Sequence, residues 1–337
     1  MEKRSFLDKA LARPEKEDKI EYFNLKGRVS ANVLVSSQEN IPSPAYVYNV
    51  DITKLWDEFQ ALKKSCDYKL TFNTLMMRVM IEGLKAAPRL NAHLEYNKKS
   101  SCGRLIIKKH MNIAMPVVLE TGETFPVNIL EAENKSLREL AEQIDDVVYR
   151  FKTTPNVNQV LSEIVRTRMV GFVLKGKIVS SITQAVTGYV GKYKVVKLKN
   201  LINPEPTTPD WITPEEINEG TVCFTNWGAL DKNLKGDVTY APILHPQVFL
   251  MAMGNVRDEE YAFKNEKGKV DIATKKVLPL TLMFDHRIGG FADIDPFIKR
   301  IDEIFENHKI KSFTELNERL CDYNELKFDD DIKQKKL

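Results

Sequence analysis

Three stretches of the chain, residues 221–226, 248–253 and 277–284, carry no charged side chain and have the apolar density of strands buried on both faces. Such strands need a covering layer on each side, and the segments between them supply it. In residues 51–64, Leu55, Trp56, Phe59 and Leu62 recur at helical spacing. Residues 72–87 repeat the pattern with Leu75, Met76, Val79, Met80 and Leu84, and Pro88 marks the end of the helix. Ser136, with Glu139 three residues on, has the form of a capping box that opens a helix through Leu140, Ile144, Val147 and Val148 to Phe151. Further strands are expected at 45–50, 105–108, 111–119 and 125–130. Asp295-Pro296 reads as an N-cap followed by proline at the first helical position, with Phe297, Ile301, Ile304 and Phe305 on one face of that last core helix. The order is alternating α/β, without repeats.

At 337 residues the chain admits one large domain or two, and its 43% apolar content supplies a sizeable core. We read one domain. Residues 1–27 form a polar arm, 28–308 the folded body, and 309–337 a charged tail. A net charge of +3, with lysines spread along the chain, gives no global field for nucleic acid, so no nucleic-acid partner is expected. Cys66, Cys102, Cys223 and Cys321 are far apart and form no CxxC pair, which argues against a metal knuckle or a disulfide framework. The N-terminus has no apolar stretch of signal-peptide length, and nowhere do eighteen uncharged apolar residues run together. The expected location is cytoplasmic.

An insert of about 160–214 interrupts the body. Between Glu163 and Glu205 there is no acidic residue, while eight basic ones fall between Arg166 and Lys199 among apolar positions such as Met169, Phe172, Ile178 and Ile182. Two readings stand. One is a helix pair packed on its own domain with a solvated lysine face; the other is a surface for anionic lipid or an acidic carrier protein.

The segment richest in chemistry is 278–293, where a buried strand runs directly into Asp285, His286 and Arg287 and then into a helix start. A histidine at a strand end is held in direction by rigid backbone, and its ordinary pKa near neutrality suits a general base. A structural hydrogen-bonding role accounts for the same three residues equally well. Gly289-Gly290 could bind a phosphate or simply form a tight turn. No GxGxxG, GxxxxGK[ST], GxSxG or HExxH sequence occurs. His93, His110, His245 and His308 have no common metal-binding spacing, so no metal is expected.

Taken together, Val50-Asp51-Ile-Thr-Lys-Leu55, Asn73, Ala87-Pro88-Arg89-Leu-Asn91-Ala92, Asn112-Ile-Ala-Met-Pro116, Gly122-Glu-Thr-Phe-Pro126-Val127, Gly220 to Gly228, Ala241-Pro-Ile-Leu-His-Pro246 and Asp285-His-Arg287 resemble, in order and spacing, the catalytic domain of the dihydrolipoamide acyltransferases of 2-oxo-acid dehydrogenase complexes, relatives of chloramphenicol acetyltransferase. The resemblance implies a mixed β-sheet covered by helices, in one domain that assembles as a homotrimer with its active site where two subunits meet. It also implies no tightly bound cofactor, with CoA or acyl-CoA as co-substrate and an acyl group passed directly to a thiol, hydroxyl or amine acceptor. His286 falls at the position of the general base and Thr225 at that of the oxyanion donor, with Asn226, Asp285, Arg287 and Arg28 in support. The chain departs from the pattern after the histidine. Gly290 and Phe291 stand where the family carries Asp-Gly, and that Asp pairs with an N-terminal arginine whose place Arg28 takes, leaving Asp293 or Asp285 to replace it. A catalytically degenerate trimeric scaffold is the alternative this departure raises. About 27 polar residues precede Arg28, so no lipoyl arm is expected ahead of the body.

Overall fold

A computed structural model describes residues 17–23, 25–98, 100–118, 124–154, 210–229 and 236–307, with isolated positions between 160 and 174. Most of the basic insert, the turn at 120–123, the tail at 309–337 and the first sixteen residues lie outside the described residues.

The first element among the described residues is α1 (Leu25–Asn40), which starts just inside the expected arm and passes Arg28. It continues through β1 (Ala45–Asp51), α2 (Thr53–Ser65), α3 (Phe72–Ala86), β2 (Ala92–Asn97), β3 (Cys102–Ile107), β4 (Ile113–Val118), β5 (Thr124–Ile129) and α4 (Leu137–Thr153). After the insert come the short α5 (Glu215–Asn218), β6 (Val222–Asn226), β7 (Phe249–Met253), β8 (Arg257–Lys264), β9 (Val270–Phe284) and α6 (Phe291–Asn307). Among the described residues the main sheet has seven strands, in the order β1-β9-β7-β6-β4-β5 with β8 paired to the first half of β9. Pairing is parallel for β4–β6 and β6–β7 and antiparallel elsewhere, so the sheet is mixed as expected.

The helices of one face pack around α3, in which every residue from Thr74 to Leu84 is buried. A helix buried on every side belongs inside a fold rather than on it, and the two charges it carries there, Arg78 and Glu82, are paired with each other. α6 lies along it, and Gly83 provides the close approach, because a Cβ there would sit 2.6 Å from the ring of Phe297. The opposite face of the sheet carries a smaller cluster of Ala114, Cys223, Leu250, Ala252 and Met283, closed by Ile41, Ala241 and Ile243. The capping box of α4 forms as read: Ser136 accepts from the Glu139 amide, and the Glu139 carboxylate accepts from the Ser136 amide.

Two local expectations are corrected. Pro296 lies inside α6, which starts four residues before the expected cap. The Asp293 amide donates to the Gly290 carbonyl at 3.1 Å, and the Asp293 carboxylate accepts from the Gly290 amide at 3.0 Å, which closes the first turn earlier. Pro296, the sixth residue of α6, lies past the first turn and costs the helix the one backbone bond its missing N–H would make. Strand β9 also begins at Val270 rather than at 277, because it forms a hairpin with β8 before entering the core. That hairpin leaves Tyr261, Phe263, Val270 and Ile272 exposed.

Candidate active site

β9 delivers its last residues to the edge of the interior. The Asp285 amide donates to the Val248 carbonyl at 2.8 Å, and the Asp285 side chain is fully buried. Its carboxylate accepts from the Arg287 guanidinium through Nε at 2.9 Å and Nη2 at 2.6 Å, and from the Arg287 amide at 2.9 Å. A buried carboxylate needs such pairing, and a two-point contact to a planar guanidinium is the strongest kind available. Arg287 in turn lies 5.7 Å from the ring centre of Tyr96. Asp285 and Arg287 are therefore bound to each other and fix the turn between them.

The residue in the middle of that turn is left outward. His286 is exposed, its amide donates to the Pro42 carbonyl at 2.9 Å, and its ring lies 5.7 Å from that of Phe284. Nδ1 is 2.7 Å from the Gly289 carbonyl oxygen. A carbonyl oxygen has no proton to give, so the bond requires Nδ1 to carry the hydrogen and leaves Nε2 as the basic nitrogen. Nε2 has no bonding partner among the described residues. An exposed imidazole with a fixed tautomer can take a proton from a bound group.

The backbone that supplies this carbonyl is itself held on both sides. Arg89 Nη2 donates to the Ile288 carbonyl at 2.7 Å, the Gly290 amide donates to Asp293 Oδ2 at 3.0 Å, and Arg89 Nε lies 3.3 Å from Asp293 Oδ1. Of the two carboxylates considered as replacements for the family's Asp, Asp285 pairs with Arg287 and Asp293 with Arg89. Arg28 lies in α1, and its side chain is outside the described residues. Sequence reasoning did not single out Arg89, which is more than 190 residues from this turn in the chain.

Thr225 and Asn226 close β6. Asn226 is committed to the fold: its side-chain amide donates to the Asn73 side chain at the start of α3, and its oxygen accepts from the Ala229 amide at 3.2 Å. Thr225 is half-buried, on the sheet face of Cys223 and Ala252, and its hydroxyl makes no hydrogen bond among the described residues. Within one chain it does not meet His286. Thr225 pairs with Ala252 and Ala252 with Thr281, so Thr225 lies in the same row as Thr281. β9 runs three residues on from Thr281 to Phe284, about 10 Å, before the turn that carries His286.

Other motifs resolve as scaffold. The Asn91 carboxamide accepts from Thr221 Oγ1 at 2.6 Å, and Thr221 Oγ1 accepts from the Asn112 amide at 3.0 Å, tying β2, β4 and β6 together. A Cβ at Gly220 would meet the Gln247 side chain at 2.6 Å, which accounts for glycine there. His93 Nε2 bonds the Gly220 carbonyl at 3.0 Å, and burial pushes the His93 pKa down to about 4. His110 bonds Glu133 at 2.7 Å. Among the described residues no three His, Cys, Asp or Glu side chains gather into a metal site, and no helix is long and apolar enough to cross a membrane.

Comparison with known proteins places the chain in a family. The model for the 2-oxoacid dehydrogenases acyltransferase catalytic domain matches residues 15–156 and 206–311, leaving unmatched most of the insert, including its basic stretch from Arg166 to Lys199. The dihydrolipoyllysine-residue acetyltransferase component of the pyruvate dehydrogenase complex of Mycoplasma pneumoniae is 25% identical over 88% of this chain. The corresponding component of the acetoin cleaving system of Bacillus subtilis is likewise 25% identical over 88% of the chain. The chain spans 57% and 58% of the length of these two relatives. Among solved structures, the cubic core of the pyruvate dehydrogenase multienzyme complex aligns with a TM-score of 0.57 at 19% identity, covering 90% of this chain and 96% of that one. The truncated catalytic core of the Thermoplasma acidophilum 2-oxoacid dehydrogenase complex gives 0.56 at 19% identity, covering 87% and 99%. With a family match over well more than half its length and the fold to go with it, the chain belongs to the 2-oxoacid dehydrogenase acyltransferase catalytic-domain family.

Proposed function

We propose that the protein transfers an acyl group between CoA and a thiol, hydroxyl or amine acceptor by direct attack, with His286 as general base and Thr225 of a neighbouring copy as oxyanion donor. One observation carries the reading: the 2.7 Å bond from Nδ1 to the Gly289 carbonyl, which points a free basic Nε2 away from the chain at an exposed rim. In the direction that uses CoA as nucleophile, the CoA thiol gives its proton to Nε2 as the sulfur bonds to the acyl carbon. The carbonyl π electrons move to oxygen, and the resulting oxyanion accepts a hydrogen bond from the Thr225 hydroxyl. Collapse of the tetrahedral intermediate re-forms the carbonyl and breaks the bond to the leaving group, which takes the proton from His286. No acyl-enzyme forms. CoA is a substrate throughout.

The separation of Thr225 from His286 within one chain supports a site shared between copies, as in a homotrimer. The ordered histidine also favours catalysis over the scaffold alternative. The departure at Gly290 has not released the imidazole, because Gly289 and Asp293 hold the turn. The test follows acetyl-CoA-dependent acylation of dihydrolipoamide and of hydroxyl and amine acceptors, with detection of released CoA. His286→Ala is expected to lower kcat by about 100- to 10,000-fold, the range for removal of a positioned general base. Unchanged activity in that variant removes the proposal.

A further inference from the structure

We propose that Arg89 and Asp293 are positioning residues that hold the Gly289 carbonyl where it fixes the tautomer of His286. The inference deepens the catalytic reading above and rests on it. The Ile288 carbonyl is bound by Arg89 Nη2 at 2.7 Å, and the Gly290 amide is bound by Asp293 Oδ2 at 3.0 Å. Between these two anchors lies the Gly289 carbonyl, the only described partner of the imidazole's Nδ1. The anchors are joined, because Arg89 Nε lies 3.3 Å from Asp293 Oδ1. The arrangement is a ring: one guanidinium and one carboxylate grip successive peptide groups, and their mutual attraction prevents the turn from opening.

The residue types fit this role. Arginine can reach a carbonyl with one nitrogen and a carboxylate with another, which lysine's single ammonium does less well. Asp293 stands in the first turn of α6, where the unpaired amides of a helix start favour a carboxylate. Gly289 is packed so closely that a Cβ would lie 2.0 Å from Asp293 Oδ2, so a side chain at 289 would drive the carboxylate off the Gly290 amide. The contact is thus written into three positions, 89, 289 and 293, of which only the last two are near the histidine in sequence. Glycine at 290 dispenses with a carboxylate four residues after the histidine, and Asp293, seven residues after it, braces the turn instead.

The consequence is chemical. With the Gly289 carbonyl in place, Nδ1 keeps its hydrogen and Nε2 is the base. If the turn relaxes, the ring can rotate or move its proton to Nε2, which cannot then accept one from a substrate. A wrong tautomer affects the chemical step rather than substrate binding.

The experiment reads the tautomer directly. Selective 15N labelling of the five histidines, with assignment by the His286→Ala variant, gives the ring-nitrogen shifts of His286 in the substrate-free assembled protein. The wild type is expected to show a protonated Nδ1 and bare Nε2. Asp293→Ala and Arg89→Met are expected to shift His286 toward the Nε2-protonated form and to lower kcat by about 10- to 100-fold, the scale of a small misplacement of a catalytic group, with KM little changed. Arg89→Lys, which keeps one donor, should recover part of the loss. Retention of the Nδ1-protonated form in both the Asp293→Ala and Arg89→Met proteins overturns the proposal. Arg89 has a 45% exposed side chain, so Arg89→Met decides the matter if Asp293→Ala does not fold. A shifted tautomer with unchanged kcat keeps the clamp and removes the catalytic role of His286.

Discussion

Arg78 and Glu82 form an ion pair one turn apart within the packed interior of α3, Nη2 to Oε1 at 2.9 Å, with side chains only 2% and 5% exposed. Arg78 also donates to the Lys135 carbonyl at 2.8 Å, and Glu82 is approached by Lys85 and Arg300, each at 3.3 Å. Burial lowers the Arg78 pKa, but its neighbours keep the charge matched. The network ties this helix to α6 through Arg300 and to Lys135, just ahead of α4.

Removing Glu82 leaves Arg78 as an unmatched charge in the core, whereas Glu82 without Arg78 keeps Lys85 and Arg300 beside it. Glu82→Leu alone is expected to destabilise the protein by about 3–5 kcal/mol, and the double change Arg78→Met with Glu82→Leu by much less. Denaturant unfolding of the two single variants and the double variant checks this, and additive losses would contradict it.

The proposed sharing of a site between copies has a genetic signature. His286→Ala and Thr225→Ala are each expected to be weakly active, while mixed assemblies are expected to contain sites that combine the intact histidine of one copy with the intact threonine of another. Co-expression with two affinity tags and tandem purification should yield trimers with about one wild-type site in three. Mixed trimers no more active than either parent would mean that the two residues never serve the same site.

His93 makes stability depend on pH. Its folded pKa of about 4 lies below the unfolded value of 6.5, because burial disfavours the imidazolium. The unfolded chain therefore binds the extra proton first. The contribution to stability is complete above pH 6.5 and is lost as pH falls toward 4. Partial solvent contact holds the total to at most about 3 kcal/mol. Thermal unfolding measured between those limits should show a slope that His93→Gln flattens, since glutamine can still donate to the Gly220 carbonyl without titrating. An equal slope in the variant assigns the effect to other groups.

The sequence was most legible where burial is uniform. β6, β7 and the second half of β9 are uncharged runs, and a run buried on both faces announces itself without periodicity. The α4 cap was readable because Ser136 and Glu139 act within one turn. The β8–β9 hairpin was not, since its polar and apolar residues are exposed on both sides and no alternation marks a buried face. Pro296 misled because proline is commonest at a helix start, while the bonds between Gly290 and Asp293 moved that start upstream. At the site, His286 could be nominated from its strand-end position, but the grip of Arg89 on Ile288 depends on α3 and α6 packing together, and no local pattern records it.

β1 and β9 lie side by side, Ala45 opposite Met283 and Asp51 opposite Val277, although nearly the whole folded body separates them in the chain. On a ribosome, the first strand must wait unpaired until the last one emerges. Until then β7 also lacks its antiparallel neighbour, and the interior around Leu280, Leu282 and Phe284 is missing. Closing so long a loop is slow relative to forming local helices. The nascent protein therefore spends most of its synthesis with apolar strand edges uncovered, in the condition that recruits chaperones, and the strand that completes the sheet is the same one that brings His286 into place.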